Sequence, residues 1–420
     1  MTPIQRWTPV EGQPQQAADP AAAHAALLQL KPADYAHSRN HLGGAVTGLS
    51  PWLTHGVIDP PEVAAAAEAA LGSPLPPGHA LTLQLAWREY FLHVAEHRGA
   101  GLLQSLHEGP LPDALYASTV PDDVRAGRTG VPVIDQAVHQ LHACGWLHNH
   151  ARLWLASYLV HMRRVHWRAG ADWLHALLLD GDLPSNHLSW QWVAGTGSHK
   201  PYVFNADNVA RFAPRAWHSP GTVIDTSYEQ LDAIARGQVA LPRPYRAAQQ
   251  AAVGSDAPAV SSTPPTELAA LLQPPAADVP KWAGQPVWLV HPWALGDVPD
   301  DLPPNTVVLA VLCEEFHRAW PWSAQRWQFV LPRMAALARS RGAEAGVISG
   351  TSNTLLGLLK HAGPVMARQT WQPHYRDLLE AGRVTTRPVP ARCTSPDTVC
   401  ASFSKFWSRQ PGAERFSHRR

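Results

Sequence analysis

Residues 127–160 read GRTGVPVIDQAVHQLHACGWLHNHARLWLASYLV, and residues 166–197 read HWRAGADWLHALLLDGDLPSNHLSWQWVAGTG. Val133, Ile134, Ala137, Val138 and Leu141 recur at helical spacing, as do Leu174, Leu177 and Leu178. Upstream, LTLQLAWREYFLHVAEH (81–97) places Leu81, Leu85 and the Trp87–Phe91 pair four residues apart. Gly/Pro clusters punctuate these runs, and no alternating apolar pattern competes with them. Residues 31–237 are therefore expected to be almost all α, after an irregular Gln/Ala/Pro-rich segment at 1–30.

A different texture follows. Residues 238–284 include AAQQAAVGSDAPAVSSTPPTELAALLQPPAADVP, which has few large apolar residues and reads as a linker with one short helix, TELAALL. Then PVWLV (286–290), TVVLAVL (306–312) and AGVIS (345–349) are short β-branched runs. They alternate with the amphipathic AQRWQFVLPRMAALARSRGA and SNTLLGLLKHAG. Such alternation predicts a small parallel α/β domain of three to five strands over 285–390. The remainder, 391–420, carries Lys405, Arg409, Arg415, Arg419 and Arg420 and is expected to be loose.

Composition narrows the functional classes. The chain has 420 residues, 34 Lys+Arg against 33 Asp+Glu, and 40 Pro, 23 His and 18 Trp. Only 16% of residues are charged, below the roughly 25% of an average domain. No apolar run approaches the roughly 20 residues of a membrane helix, and MTPIQRWTPVEG has no signal-peptide core. Cys144, Cys313, Cys393 and Cys400 form no CxxC pair, so neither a zinc ribbon nor a disulfide framework is supported. The expectation is a cytoplasmic, reduced, globular monomer.

Several stretches carry chemistry. In Tyr35…Arg39 and AVTGLSPWLTHG (45–56), Ser50-Pro51 is a helix-start pair, with Thr47 and Ser50 hydroxyls where free N–H groups favour an anion. An ordinary capped helix explains it equally. Trp87 and Arg88 point about 100° apart on their helix, so one can face a cavity while the other reaches a phosphate. Asp180-Gly181-Asp182 sets two carboxylates in a turn after a helix, able to hold a metal or to accept from a heterocycle. The many histidines lack HExxH spacing, so no metal site is expected. Trp190-Gln191-Trp192 holds two indoles for which core packing is the plain alternative.

Together these stretches resemble the FAD-binding domain of the DNA photolyase/cryptochrome family, over about residues 33–217. The motifs are TG-P-x-x-D at Thr129–Asp135, GW-x-HN at Gly145–Asn149, W-R-x-G at Trp167–Gly170, DGD at Asp180–Asp182, WQW-x-A-x-TG at Trp190–Gly197 and FN at Phe204–Asn205. The resemblance implies a mainly α FAD-binding domain followed by a small Rossmann-like α/β domain. It implies FAD as cofactor and UV-damaged DNA, with a flipped pyrimidine lesion, as partner. Residue by residue, Tyr35, Thr47, Gly48, Leu49 and Ser50 match the grip on the FAD diphosphate and adenosine, and Arg88 an arginine near the phosphates. Asn149, Arg152, Asp180 and Asp182 match residues around the isoalloxazine and adenine, with Arg152 paired to the first aspartate. Asn186 matches the position beside flavin N5.

The same resemblance makes Trp87 and Trp192 walls of the lesion pocket, and Trp190 and Trp167 the inner members of an electron relay. The outermost tryptophan has no counterpart, and Tyr116 lies near its place. Gln84 stands where enzymes for cyclobutane dimers carry glutamate, and Leu153 replaces a common methionine. Histidines used by enzymes for (6-4) lesions are absent at Asn149 and Leu153. In the family the α/β domain comes first and can hold an antenna chromophore; here an α/β unit follows. Whether it is a relocated antenna-like domain or an unrelated one stays open, as does any second chromophore. Arg125, Arg128, Arg163, Arg164, Arg168, Lys200, Arg211 and Arg215 are expected to serve the DNA backbone. A cryptochrome-like blue-light sensor without repair is the alternative function. A flavoprotein with dark redox chemistry is weaker still, since no NAD(P)H glycine fingerprint appears.

Overall fold

The computed structural model describes residues 18–240, 257–275, 279–341 and 346–411. The chain forms two compact units. The first is built from residues 33–46 and 97–258, the second from residues 18–32, 47–96 and 259–411, as far as these are described.

The first unit is helical. Its central helices are Pro132–Cys144, Asn149–Ser157, Trp167–Leu177 and Leu183–Ala194. Pro132 occupies the first turn of one, where its missing N–H costs nothing. Gly145 ends that helix in the left-handed region, at φ 63°. The apolar stripes read from the sequence face inward: Val133, Ile134, Ala137, Val138, Leu141, Leu174 and Leu177 are all core. Trp154 is fully buried among them. Residues 158–162 loosen into a π-turn, which Arg163 N–H closes by donating to the Tyr158 carbonyl.

The second unit holds the sheet. Its strands are β1 (Val260–Ser261), β2 (Leu272–Gln273), β3 (Val287–Val290), β4 (Val307–Cys313), β5 (Trp322–Ser323), β6 (Val347–Gly350), β7 (Val365–Arg368) and β8 (Thr385–Arg387). Six of them lie in the order β2-β6-β4-β3-β7-β8, and every neighbouring pair is parallel. β3 and β4 are buried along their whole length, as a strand covered on both faces must be. From β3 the chain builds outward one way through β4 and β6, then returns to the other side for β7 and β8. This is the doubly wound, Rossmann-like order.

Four expectations change. The sheet has six strands, because the supposed linker contributes β2, while β1 pairs antiparallel with β5. Two-residue strands pair through backbone groups alone and leave no apolar signature. TELAALL is likewise a 3₁₀ turn over Thr266–Leu271 rather than an α-helix. Residues 20–27 form a helix capped by Asp19, whereas residues 1–17 of the expected irregular segment lie outside the described residues. Finally, the C-terminal stretch is docked: Cys400, Phe403, Phe406 and Trp407 are buried. Arg415, Arg419 and Arg420 lie outside the described residues.

The carboxyl ends of the strands are filled with aromatic rings. Trp293 meets Phe316 at 5.0 Å, Tyr375 at 5.4 Å and Trp322 at 5.9 Å between ring centres. His317 sits 4.5 Å from Trp322 and 4.6 Å from Trp327. The tryptophans of this region thus build the second core. His55 locks the loop after β3, its Nδ1–H donating to the Pro292 carbonyl at 2.6 Å.

Buried neutral histidines give both units an acid limit. His161 donates to the Val193 carbonyl at 3.0 Å and His291 to the Arg368 carbonyl at 2.8 Å. Burial lowers both from 6.5 to about 4. Above pH 6.5 neither folded nor unfolded chain takes these protons. Between 6.5 and about 4 the unfolded chain takes them and the folded chain does not, so stability is lost as pH falls. Urea denaturation at pH 7.5, 6 and 5 is expected to show a falling midpoint across that window.

Candidate functional site

In the first unit the site grows from the turn between two helices. The helix Trp167–Leu177 ends, residues 178–182 turn, and Leu183–Ala194 begins. Arg152 Nη1 and Nη2 donate to the two Asp180 oxygens at 3.0 and 2.7 Å, while its Nε donates to the Leu147 carbonyl at 2.9 Å. The Asp180 side chain is only 3% exposed. A planar fork on a carboxylate gives orientation as well as attraction. Asp182 is the N-cap of the second helix, and its Oδ2 accepts from Ser185 N at 3.0 Å and Ser185 Oγ at 2.7 Å. The turn holding both carboxylates is therefore pinned at each end.

One turn on, Asn186 Nδ2 donates to the Ala171 carbonyl at 2.8 Å. That fixes the amide with its carbonyl end as the available acceptor. His187 Nε2–H donates to Asp172 at 2.8 Å, and Arg168 Nε donates to the same carboxylate at 2.7 Å. The Asn186 and His187 bonds fasten the two helices side by side. The indole of Trp190 fills the space over Gly170, where an added Cβ would lie 2.3 Å from the ring. Trp167 is buried with its Nε1–H donating to Ser105 Oγ at 2.9 Å. Gln191 is buried too: Nε2 donates to the carbonyls of Leu102 and Gln104, and Oε1 accepts from Leu106 N. Trp192, next to it, is 37% exposed and leans on Tyr202 at 5.4 Å.

The other predicted residues of the first unit each have contacts of their own. Asp135 closes its motif by accepting from Thr129 N, Thr129 Oγ1 and Gly130 N. Asn149 opens its helix at the surface after His148. Tyr35 bonds to Arg39, and burial raises its phenol pKa. Tyr116 is edge-on to His166 at 6.3 Å, and His166 lies 5.6 Å from Trp167.

In the second unit, Ser50 is not the N-cap. Leu49 takes that position, no side chain caps the helix Ser50–Thr54, and Thr47 Oγ1 accepts from Leu49 N at 3.4 Å. Gly48 turns the chain at φ 67°. Arg88 donates to Thr54 Oγ1 and the Leu53 carbonyl at 3.4 Å each, with no carboxylate within ion-pair reach among the described residues. A half-buried guanidinium with only long neutral partners suits a phosphate. Gln84 is half-buried on the same helix. Trp87 is not a bare wall: the Phe403 ring stacks on it at 4.1 Å, 9° from parallel.

Three expected DNA-binding cations belong to the fold instead. Arg163 is bidentate on Asp123, Arg164 holds the Ile234 and Ala235 carbonyls, and Arg168 serves Asp172. The others, Arg125, Arg128, Lys200, Arg211 and Arg215, are exposed. Sequence reasoning missed Phe403, His187 and Asp172. Only Asp172 and His187 had a signal, an Asp and a His on neighbouring helices.

With the geometry in place, comparison with known proteins is decisive for residues 81–258, which match the model of the FAD binding domain of DNA photolyase. This region is similar to the FAD-binding domain of the photolyase/cryptochrome family. The deoxyribodipyrimidine photo-lyase of Streptomyces griseus is 37% identical to the chain over 181 residues, covering 40% of this chain and 36% of that protein. That of Escherichia coli is 32% identical over 178 residues, covering 42% and 37%. A cryptochrome structure from Synechocystis aligns with TM-score 0.42 at 27% identity, covering 46% of this chain and 43% of that one. The chain therefore spans well under half the length of the curated relatives it matches. The FAD-binding domain is followed by the parallel α/β domain. No helix among the described residues is long and apolar enough to cross a membrane.

In the first unit the fixed amide acceptor at Asn186 and the pinned carboxylate turn fit the ring system of FAD; in the second unit Arg88, with no carboxylate in ion-pair reach among the described residues, fits a phosphate. Arg152→Ala removes the forked guanidinium from buried Asp180, at a cost of about 3–5 kcal/mol. Urea denaturation should show that loss, and the flavin-to-protein ratio after purification should fall. Arg152→Lys should recover only part of it, because an ammonium cannot fork.

Proposed function

We propose that the protein is an FAD-dependent, blue-light-driven DNA photolyase acting on UV-damaged pyrimidines. The observation that carries this reading is the helix Leu183–Ala194, which presents Asn186, then one turn on a buried Trp190, and two residues later an exposed Trp192. A buried indole packed between helices suits electron transfer, and an exposed one suits stacking on an unpaired base. Reduced FAD, when bound, supplies the light-absorbing group and the electron. Arg88 holds the diphosphate, and Thr47, Gly48, Leu49, Ser50 and Tyr35 flank the adenosine side. Asn149, Arg152, Asp180 and Asp182 would orient the ring system, and Asn186 Oδ1 would accept a hydrogen bond from a ring N–H.

With flavin bound, Trp190 and Trp167 would serve as the inner members of an electron relay toward the protein surface. Tyr116 is the terminal donor: it gives one electron to oxidised Trp167, and its phenol proton leaves to solvent. The His166 ring lies between the two. Gln84 and Trp87 contact the lesion, and Trp192 stacks on it. Gln84 can hydrogen-bond a pyrimidine carbonyl but supplies no acid proton. Arg125, Arg128, Lys200, Arg211 and Arg215 meet DNA phosphates. In the α/β domain, the crevice at the β3 and β7 carboxyl ends is where such a sheet would take a ligand. Buried Trp293 and His55 fill it, which supports a scaffold in place of an antenna-chromophore pocket.

The Phe403 cover on Trp87 and the missing glutamate at Gln84 favour one second reading, a cryptochrome-like sensor. Illuminating the reduced holoprotein with oligonucleotides bearing a cyclobutane dimer or a (6-4) product decides between them. Repair of either supports the photolyase; repair of neither, with flavin bound, supports the sensor. Trp192→Ala should weaken binding of damaged DNA by about 1–2 kcal/mol, roughly 5- to 30-fold, with flavin retained. Tyr116→Phe should slow flavin photoreduction severalfold; an unchanged rate removes Tyr116 from the relay.

A further inference from the structure

The segment 391–411 is fastened along the helix Ala80–Arg98 by a series of polar bonds. Buried Glu89 accepts from Arg392 N at 2.9 Å and Cys393 N at 2.6 Å. His93 Nε2 accepts from Cys400 N at 2.9 Å, and Tyr90 donates to the Cys400 carbonyl at 3.2 Å. Ser395 Oγ donates to Glu96 at 3.1 Å. Gln410 ties the segment to itself, accepting from Thr394 N and donating to the Thr394 carbonyl.

These bonds deliver one ring to one place. Ser402 caps the short helix Phe403–Trp407, and Phe403 lies on Trp87 nearly parallel at 4.1 Å. Most protein aromatic pairs are offset or edge-on, and the other neighbours of Trp87 follow that habit: Tyr90 is at 82° and Phe91 at 49°. A flat ring against an indole at this separation is the arrangement a nucleobase would adopt. Trp407 backs Phe403 from behind, 15° from parallel at 6.1 Å.

We propose that residues 391–411 form a strap whose Phe403 occupies the stacking position of a base on Trp87, so that a flipped base reaches this face only by displacing it. The proposal rests on the photolyase reading, in which Trp87 contacts the lesion. The strap makes the chain its own competitor for that indole. Affinity for damaged DNA is then lowered by the stability of the Phe403–Trp87 stack, and DNA binding loosens the strap.

The test uses the full-length holoprotein and an oligonucleotide carrying a cyclobutane dimer, with the undamaged oligonucleotide as reference. Phe403→Ala is expected to tighten binding of the dimer about 2- to 12-fold, the range of one aromatic pair. Phe403→Leu keeps apolar volume without the flat face, and serves if the alanine variant fails to fold; it should tighten binding less. In the wild type, amide exchange over 400–407 should speed up on adding the dimer. Binding that is unchanged or weaker in both variants, or exchange that slows, overturns the strap while leaving the photolyase reading standing. Failure of wild type and variants alike to prefer the dimer overturns both.

Discussion

In the first unit the Trp190 indole lies over the bare Cα of Gly170, where an added Cβ would come within 2.3 Å of the ring. That contact lets the helices Trp167–Leu177 and Leu183–Ala194 lie against each other with a large ring between them. Any side chain at Gly170 would drive them apart, since close-packed interiors do not absorb an added carbon without strain. The Asn186 and His187 bonds to Ala171 and Asp172 exist only at that spacing. The turn that carries Asp180 and Asp182 inherits its shape from the same contact. One missing Cβ thus sets the place of two carboxylates, one amide and two tryptophans.

Polar groups in this region are satisfied by geometry that also points them. Arg152 spends its fork on Asp180 and its Nε on a backbone carbonyl, so the carboxylate cannot rotate. Asp182 is held by the helix it caps. Preorganised polar groups of this kind lose little on meeting a ligand. The residues around them are correspondingly committed, which is why Arg163, Arg164 and Arg168 are unavailable to an outside partner.

Much of this was legible in the sequence, for reasons that differ by element. The helices of the first unit showed because their apolar residues repeat at the helical period and Gly or Pro marks their ends. The Asp180–Arg152 pair and the DGD turn followed from a family resemblance with many spaced matches. β2 and β1 did not show, since two residues joined by backbone bonds carry no pattern. Ser50-Pro51 had the residues of an N-cap but the chain began its helix one residue earlier. The docking of Phe403 was hidden for a deeper reason: contacts separated by some three hundred positions leave no local trace. A short, charge-bearing C-terminal stretch looks the same whether it is docked or free. Trp293, Trp322 and Trp327 were visible only as a count until the strand ends brought them together.

That long separation bears on how the protein is made. The helix carrying Trp87 and Arg88 belongs to the same compact unit as the sheet, and Glu89 receives its N–H partners from a segment 303 residues later. At about 5–20 residues per second, the ribosome takes roughly 15–60 s to supply it. Throughout that interval Glu89 and the apolar face of this helix wait without their native partners, while the helices of the first unit can already collapse through local contacts. The second unit is therefore the one whose assembly waits for residues 391–411, and the one most exposed to a helper or a mispairing on the way.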